Sequence, residues 1–198
     1  MIIGLTGGIA TGKSESAKYF EMLGAYVVDA DAISCDITAK GMPALNELVK
    51  NLGDNILFSN GTLNRKKLAG IIFSDKKIKL IVEKILHARI ISRVNKTIKL
   101  KKNEYDNIVI NAPLLFEAGL NKICDKTVVV WAPYDIQARR LVLRDKLGVE
   151  QIKKRIYSQM PIGEKIELTD FTIDNTGSKK DLKKNIKALY ILLTSKSK

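Results

Sequence analysis

The chain opens with GLTGGIATGKSES, Gly4 to Ser16, and the spacing inside that stretch leaves few folds open. Gly7, four intervening residues and then Gly12-Lys13-Ser14 complete a Walker A pattern. The two glycines let the backbone wrap closely with its amides turned inward. Those amides, with the N-terminus of a following helix, make a cradle for anions. Lys13 is placed to reach the β and γ phosphates of a nucleoside triphosphate, and the Ser14 hydroxyl to ligate Mg²⁺. Gly8, Ile9, Ala10, Thr11, Gly12, Lys13, Ser14 and Glu15 are therefore the candidate ATP-binding positions. The flanks supply the context the motif needs. IIGLT, 2–6, reads as a strand before it, and a helical pattern of Ala17, Phe20, Met22 and Leu23 follows, closed by Gly24.

Four further β-branched runs end at breakers. They are AYVV at 25–28, NIVINA at 107–112, KTVVVWA at 126–132 and FTID at 171–174. Helical patterns lie between them, and this alternation predicts a parallel sheet covered by helices. The expected fold is α/β, a P-loop NTPase-type three-layer α/β/α arrangement on a five-stranded parallel sheet. One connection far exceeds the roughly dozen residues a parallel crossover needs. Its helical periodicity (Leu45, Leu48, Val49, Leu52; then Ile78, Ile81, Val82, Ile85) predicts a helical insertion over 32–106 that holds a substrate. The core is then 1–31 with 107–198. After the fourth strand, two helices are expected with Gly148 at the break, and a last amphipathic helix over 178–194. The polar end TSKSK is expected to fray.

Composition narrows the partners. No run is apolar enough to cross a membrane, and Met1 leads straight into the first strand, so a cytoplasmic protein without a leader is expected. Cys35 and Cys124 lack metal-ligand spacing and read as reduced thiols. The net charge of +13 suits phosphorylated partners, although lysines scattered along the chain carry most of it. A nucleic-acid binder would need clustered aromatic platforms, and aromatics are 6% of the chain without clustering, so no nucleic-acid partner is expected. A GTPase should carry an N-K-x-D string, and NKIC at 121–124 has no Asp in place. A motor should end a strand in Asp or Asp-Glu, and NIVINAP does not. Both absences favour a small-molecule kinase.

A kinase must deprotonate its acceptor near the γ phosphate. VVDAD puts Asp29 and Asp31 just past the second strand, on the edge where ligands of doubly wound sheets gather. Either aspartate could equally cap the helix that follows, and spacing does not choose between them.

These pieces, in this order, resemble the dephospho-coenzyme A kinase family. GLTGGIATGKS matches its opening, VVDAD its acidic motif and PLLFE, 113–117, its signature after the third strand. QARR at 137–140, RI at 155–156, Gln159 and DNTG at 174–177 continue the pattern, so the resemblance runs from Gly4 to Gly177. It implies a kinase core, a lid over about 139–160 and a helical coenzyme A domain. It also implies transfer of the γ phosphate of ATP to the ribose 3′-hydroxyl of 3′-dephospho-coenzyme A, the last step of coenzyme A synthesis. Carried over position by position, Asp31 is the base, Lys13 the phosphate clamp and Arg140 a lid arginine. Asn175 falls in the loop near the ATP base. Leu114, Glu117 and His87, with Asp31, face the acceptor. Nucleoside monophosphate kinases are the alternative, disfavoured by the long insertion and by PLLFE. Two positions depart from the family: Ser14-Glu15 stands for Ser-Thr, and His87-Ala88 for His-Pro. Without that proline, the helix around His87 is free to run on.

Four of the seven arginines, Arg139, Arg140, Arg144 and Arg155, fall in one segment. Arg140 and Arg144, four apart, share a helix face. Arginine there suits the charge that spreads over a transferring phosphoryl group.

Overall fold

A computed structural model describes residues 1–146 and 148–195, with the backbone alone at Phe73. Residues 196–198 of the end expected to fray, and Leu147 in the expected lid, lie outside the described residues.

Five strands form one parallel sheet: β1 (Ile2–Gly7), β2 (Tyr26–Asp29), β3 (Ile108–Asn111), β4 (Lys126–Trp131) and β5 (Phe171–Asp174). Their order is β2-β3-β1-β4-β5. The α/β fold read from the sequence is the one observed. β1, which feeds the glycine loop, is central and pairs with β3 through Leu5↔Asn111 and with β4 through Gly7↔Val130. β2 joins β3 through Asp29↔Asn111. Because every strand runs the same way, Gly7, Asp29, Asn111, Trp131 and Asp174 all end at one edge, where such folds place ligands.

Alternation along β1 sends Ile3 and Leu5 to one face. There they meet Val109, Val128, Val130 and Ile173 of the neighbouring strands, Ala17 and Phe20 of α1 (Lys13–Met22), and Leu182 and Ile186 of α9 (Lys179–Thr194). Burying each large side chain here is worth about 1.5–3 kcal/mol. Phe20 and Tyr190 meet edge to face, 5.9 Å between ring centres. Local signals set the helix ends. Gly24, at φ +95°, stops α1. Ser178 and Asp181 form a reciprocal capping box that starts α9. On the opposite face Gly4 has no side chain because Leu115 and Cys124 lie where one would go, each 2.8 Å from a notional Cβ.

The chain divides into two compact units. One is Met1–Asp29 with Ile98–Lys198, and the other is Ala30–Thr97. The second is helical: α2 (Ala30–Ile37), α3 (Pro43–Leu52), α4 (Arg65–Ser74) and α5 (Lys76–Lys101), the last continuing beyond its boundary. Its core is Ala44, Leu45, Leu48, Ile56, Leu63, Leu68, Val82 and Ile85. Arg89 pairs with Glu47 across it. α5 runs unbroken through His87-Ala88, as the missing proline allows. In the first unit, α6 (Tyr134–Asp145), α7 (Val149–Tyr157) and α8 (Ile162–Glu167) lie between β4 and β5. The break between α6 and α7 was expected at Gly148. The six-residue α8 was not expected, being too short to show a period.

Candidate active site

The phosphate loop is shaped by two left-handed residues and braced from three directions. Ala10 and Gly12 have φ of +59° and +100°, a conformation that costs energy for alanine and little for glycine. Gly12 could not be replaced in any case, because a Cβ there would stand 2.1 Å from Asn175 Nδ2. The Thr11 hydroxyl donates to Gly8 O at 2.9 Å, closing the turn. Asn175, just past β5, donates from Nδ2 to Thr11 O at 2.6 Å. Arg140 on α6 donates to Ala10 O and Thr11 O, both at 3.3 Å, and to Asn175 O at 2.8 Å. Holding these carbonyls fixes the path of the loop backbone, the element that makes an anion cradle in such loops. Burial lowers the Arg140 pKa from its usual value, yet a guanidinium stays charged throughout the working range.

Lys13 is buried and donates from Nζ to Asn111 Oδ1 at 2.6 Å. Asn111 in turn donates from Nδ2 to Asp29 Oδ2 at 2.9 Å. The loop lysine, the end of β3 and the end of β2 are thus linked through one amide that is 2% exposed. Asp29 is therefore a member of a side-chain network at the sheet edge. The strand stops there. Ala30 begins α2, so Asp31 sits exposed in a helical first turn and not on a continued strand.

Ser14 is exposed at the start of α1, beside the loop. Glu15, one of the two departures from the family pattern, accepts a hydrogen bond from Tyr19 one turn on; burial first, and then Glu15, raises the pKa of that phenol. Among the described residues no group of three His, Cys, Asp or Glu could hold a metal. A cation arriving with a nucleotide needs less: one protein hydroxyl, phosphate oxygens and water. Ser14 fits that donor set.

The remaining sequence candidates divide. Asn175, in the loop after β5, turns its side-chain amide to the phosphate loop. Arg144 and Arg155 both converge on Asp145, at 2.8 Å each. The hydrogen bond from Arg144 holds the Asp145 carboxyl below its usual range. The Arg155 pair ties the end of α6 to α7, whereas Arg144 and Asp145 are neighbours on α6, and Arg139 is exposed. Leu114 is exposed at the turn after β3, and Glu117 on the same turn is largely buried. His87 is half-buried on α5.

Two residues escaped the sequence reading. Asn111 stood in NIVINAP only as a missing acid; its signal was a polar side chain ending a buried strand. Lys165, wholly buried on α8, is one lysine among many, and only its contact with Glu117 singles it out.

Comparison with known proteins bears on the same geometry. The family model described as dephospho-CoA kinase matches residues 1–181. A dephospho-CoA kinase of Carboxydothermus hydrogenoformans is 40% identical over 178 residues, covering 89% of this chain and 86% of that protein. One from Aquifex aeolicus is 40% identical over 192 residues, covering 97% of each. The solved dephospho-CoA kinase of Campylobacter jejuni superposes with a TM-score of 0.70 at 29% identity, covering 96% of each chain. The match takes in the phosphate loop, the strand ends around it and the buried lysine of α8 together, and the chain belongs to the dephospho-CoA kinase family.

Proposed function

We propose that this protein transfers the γ-phosphoryl group of ATP to the ribose 3′-hydroxyl of dephospho-coenzyme A, giving coenzyme A and ADP. One observation carries the reading: a complete phosphate loop, braced by Arg140 and Asn175, with its lysine held at the sheet edge in a chain of this family. In this reading the loop amides and Lys13 take the β and γ phosphates. Residues Gly8 to Glu15 surround the nucleotide, and Asn175 acts on it through the loop. Asp31 takes the proton from the 3′-hydroxyl as its oxygen bonds to phosphorus. The bond from γ-phosphorus to the bridging oxygen breaks, and ADP leaves with that electron pair. Arg140 keeps a positive charge at the loop through this change. Ser14 would hold Mg²⁺, which when bound offsets charge on the phosphate oxygens.

The helical unit with His87, and the turn bearing Leu114 and Glu117, serve the acceptor in this reading. Helices α6 and α7 act as the lid over about 139–160. A cytoplasmic setting is part of the same proposal, supported by two free thiols, Cys35 and Cys124. No described helix is long and apolar enough to cross a membrane.

The test is ATP consumption by the purified protein against dephospho-coenzyme A, nucleoside monophosphates and single-stranded DNA in parallel. Turnover with dephospho-coenzyme A alone, yielding coenzyme A, is expected. Preference for a nucleoside monophosphate, or stimulation by DNA, would overturn the reading.

A further inference from the structure

Lys165 has no exposed surface, yet it carries an ammonium. Its Nζ lies 3.1 Å from Glu117 Oε1 and also donates to Pro113 O. That carbonyl accepts from Thr6 Oγ1 as well, at 3.3 Å, so the end of β1, the turn after β3 and α8 meet at one oxygen. Three residues earlier on the same helix, Ile162 reaches to 3.7 Å of where a side chain on Gly8 would start. Helix α8 therefore contacts the turn 113–117 and lies beside the phosphate loop.

Glu117 is the unusual partner. Both carboxylate oxygens are buried, and neither accepts an aligned hydrogen bond among the described residues. The Lys165 ammonium is near, but not aligned for one. A carboxylate has about four acceptor positions, and buried polar groups left unfilled are uncommon enough to need a reason. Stability does not supply one, since a buried ion pair is often no better than an apolar pair of the same volume. Meanwhile Leu114 on the same turn is 39% exposed, so the turn reaches solvent.

We propose that Lys165 is a positioning residue for the phosphoryl acceptor. It holds Glu117, and through the Pro113 carbonyl the whole turn, so that the carboxylate can accept a hydrogen bond from a hydroxyl or amine of the bound acceptor. The proposal rests on the reading of dephospho-coenzyme A as that acceptor. It assigns no step of the phosphoryl transfer to Lys165.

The test compares Lys165→Met, Glu117→Gln and the double variant with the wild type. Michaelis constants for acceptor and ATP, turnover and melting temperature are read for each. Glu117→Gln and Lys165→Met should each raise the acceptor Michaelis constant about tenfold to a hundredfold, as loss of a bond to a charged group does. The ATP constant should stay within about twofold. Because Lys165 acts through Glu117, the double variant should match Glu117→Gln within about twofold. A purely structural pair would move the melting temperature and leave the acceptor constant alone, which would overturn the proposal. So would equal rises in the acceptor and ATP constants. Lys165→Met leaves Glu117 without its counter-charge; if that variant does not fold, Glu117→Gln and the double variant decide. Equal and weakened acceptor constants in those two support the proposal, and a wild-type constant in either overturns it. Failure of the underlying reading shows separately, as a wild type that uses a different acceptor; the same cycle is then run with that acceptor.

Discussion

Replacing Arg140 by alanine removes three hydrogen bonds at once: 2.8 Å to Asn175 O and 3.3 Å to each of Ala10 O and Thr11 O. Bonds to a charged group contribute about 1.5–3 kcal/mol each, and the two long ones belong at or below the lower end. The site is partly exposed, so water replaces some of what is lost. A total of roughly 2–4 kcal/mol follows, which for a chain of this size lowers the melting temperature by roughly 4–16 °C. Thr11 O keeps the Asn175 amide, so the loop should loosen without the fold failing. Turnover should fall by about 10²-fold, the loss typical of one preorganised donor. The ATP Michaelis constant should rise less.

Arg140→Lys separates the two roles. It keeps the charge, but an ammonium cannot span three carbonyls as a guanidinium fork does. Its melting temperature should fall with that of Arg140→Ala, while part of the turnover returns. The assays are thermal melts without nucleotide and steady-state kinetics at saturating acceptor. An unchanged melting temperature in Arg140→Ala would refute the brace. A raised ATP constant at unchanged turnover would refute the catalytic assignment and leave uniform binding.

Four other outcomes are expected. Lys13→Ala should abolish phosphoryl transfer and weaken ATP binding in a folded protein, as nucleotide titration and melting would show; near-normal turnover would sink the kinase reading. Asp31→Asn should cut turnover by ~10²–10⁴-fold while acceptor still binds, whereas Asp29→Asn, which disturbs the Asn111 network, should act more on stability and ATP affinity; the reverse pattern in side-by-side kinetics would exchange the two roles. Burial, with Asp125 beside it, pushes the Cys124 thiol up to about 12, so a thiol reagent at pH 8 should titrate the exposed Cys35 quickly and Cys124 only on unfolding; two fast equivalents would contradict this. Asp170 accepts from Thr127 N and Oγ1 at 2.8 Å each, and Asp170→Asn should cost about 1–2 kcal/mol in a denaturant melt at pH 7. Burial alone would raise the pKa of that carboxyl, but the bonds from Thr127 and Lys126 outweigh it and lower the value. Its contribution is therefore complete above the ordinary carboxylate range and fades as pH falls through the lower folded value, so the gap between the two proteins should close below about pH 4.

The elements legible in the sequence were those whose physics is local. A glycine-rich turn that must bring amides together announces itself by spacing, and short β-branched runs between breakers announce buried parallel strands. All five strands appear within a residue or two of where those signals put them. The site was less legible because its contacts are long-range. Asn175 reads as a loop asparagine, and only the fold carries it 164 residues back to Thr11. Arg140 and Arg144 share a helix face, yet one turn is enough to give them different partners: the phosphate loop for Arg140, Asp145 for Arg144. Periodicity reports a face and does not report what waits opposite it.

Lys165 shows the same limit from the other side. A lysine in a run such as PIGEKIE has every local reason to be solvated, and burying one is normally costly. What reverses that expectation is a carboxylate and a carbonyl brought from the turn after β3, 48 and 52 residues away. No window of sequence contains both sides of that contact. Three positions where local chemistry and observed placement conflict are the buried Lys165, the left-handed Ala10 and the buried Asn111 between Lys13 and Asp29. All three lie at the carboxyl edge of the sheet or in the phosphate loop, while the other left-handed non-glycine residue among those described, Lys146, closes α6. Local rules are broken where the surrounding structure over-determines the exception, and these three exceptions gather around the phosphate loop.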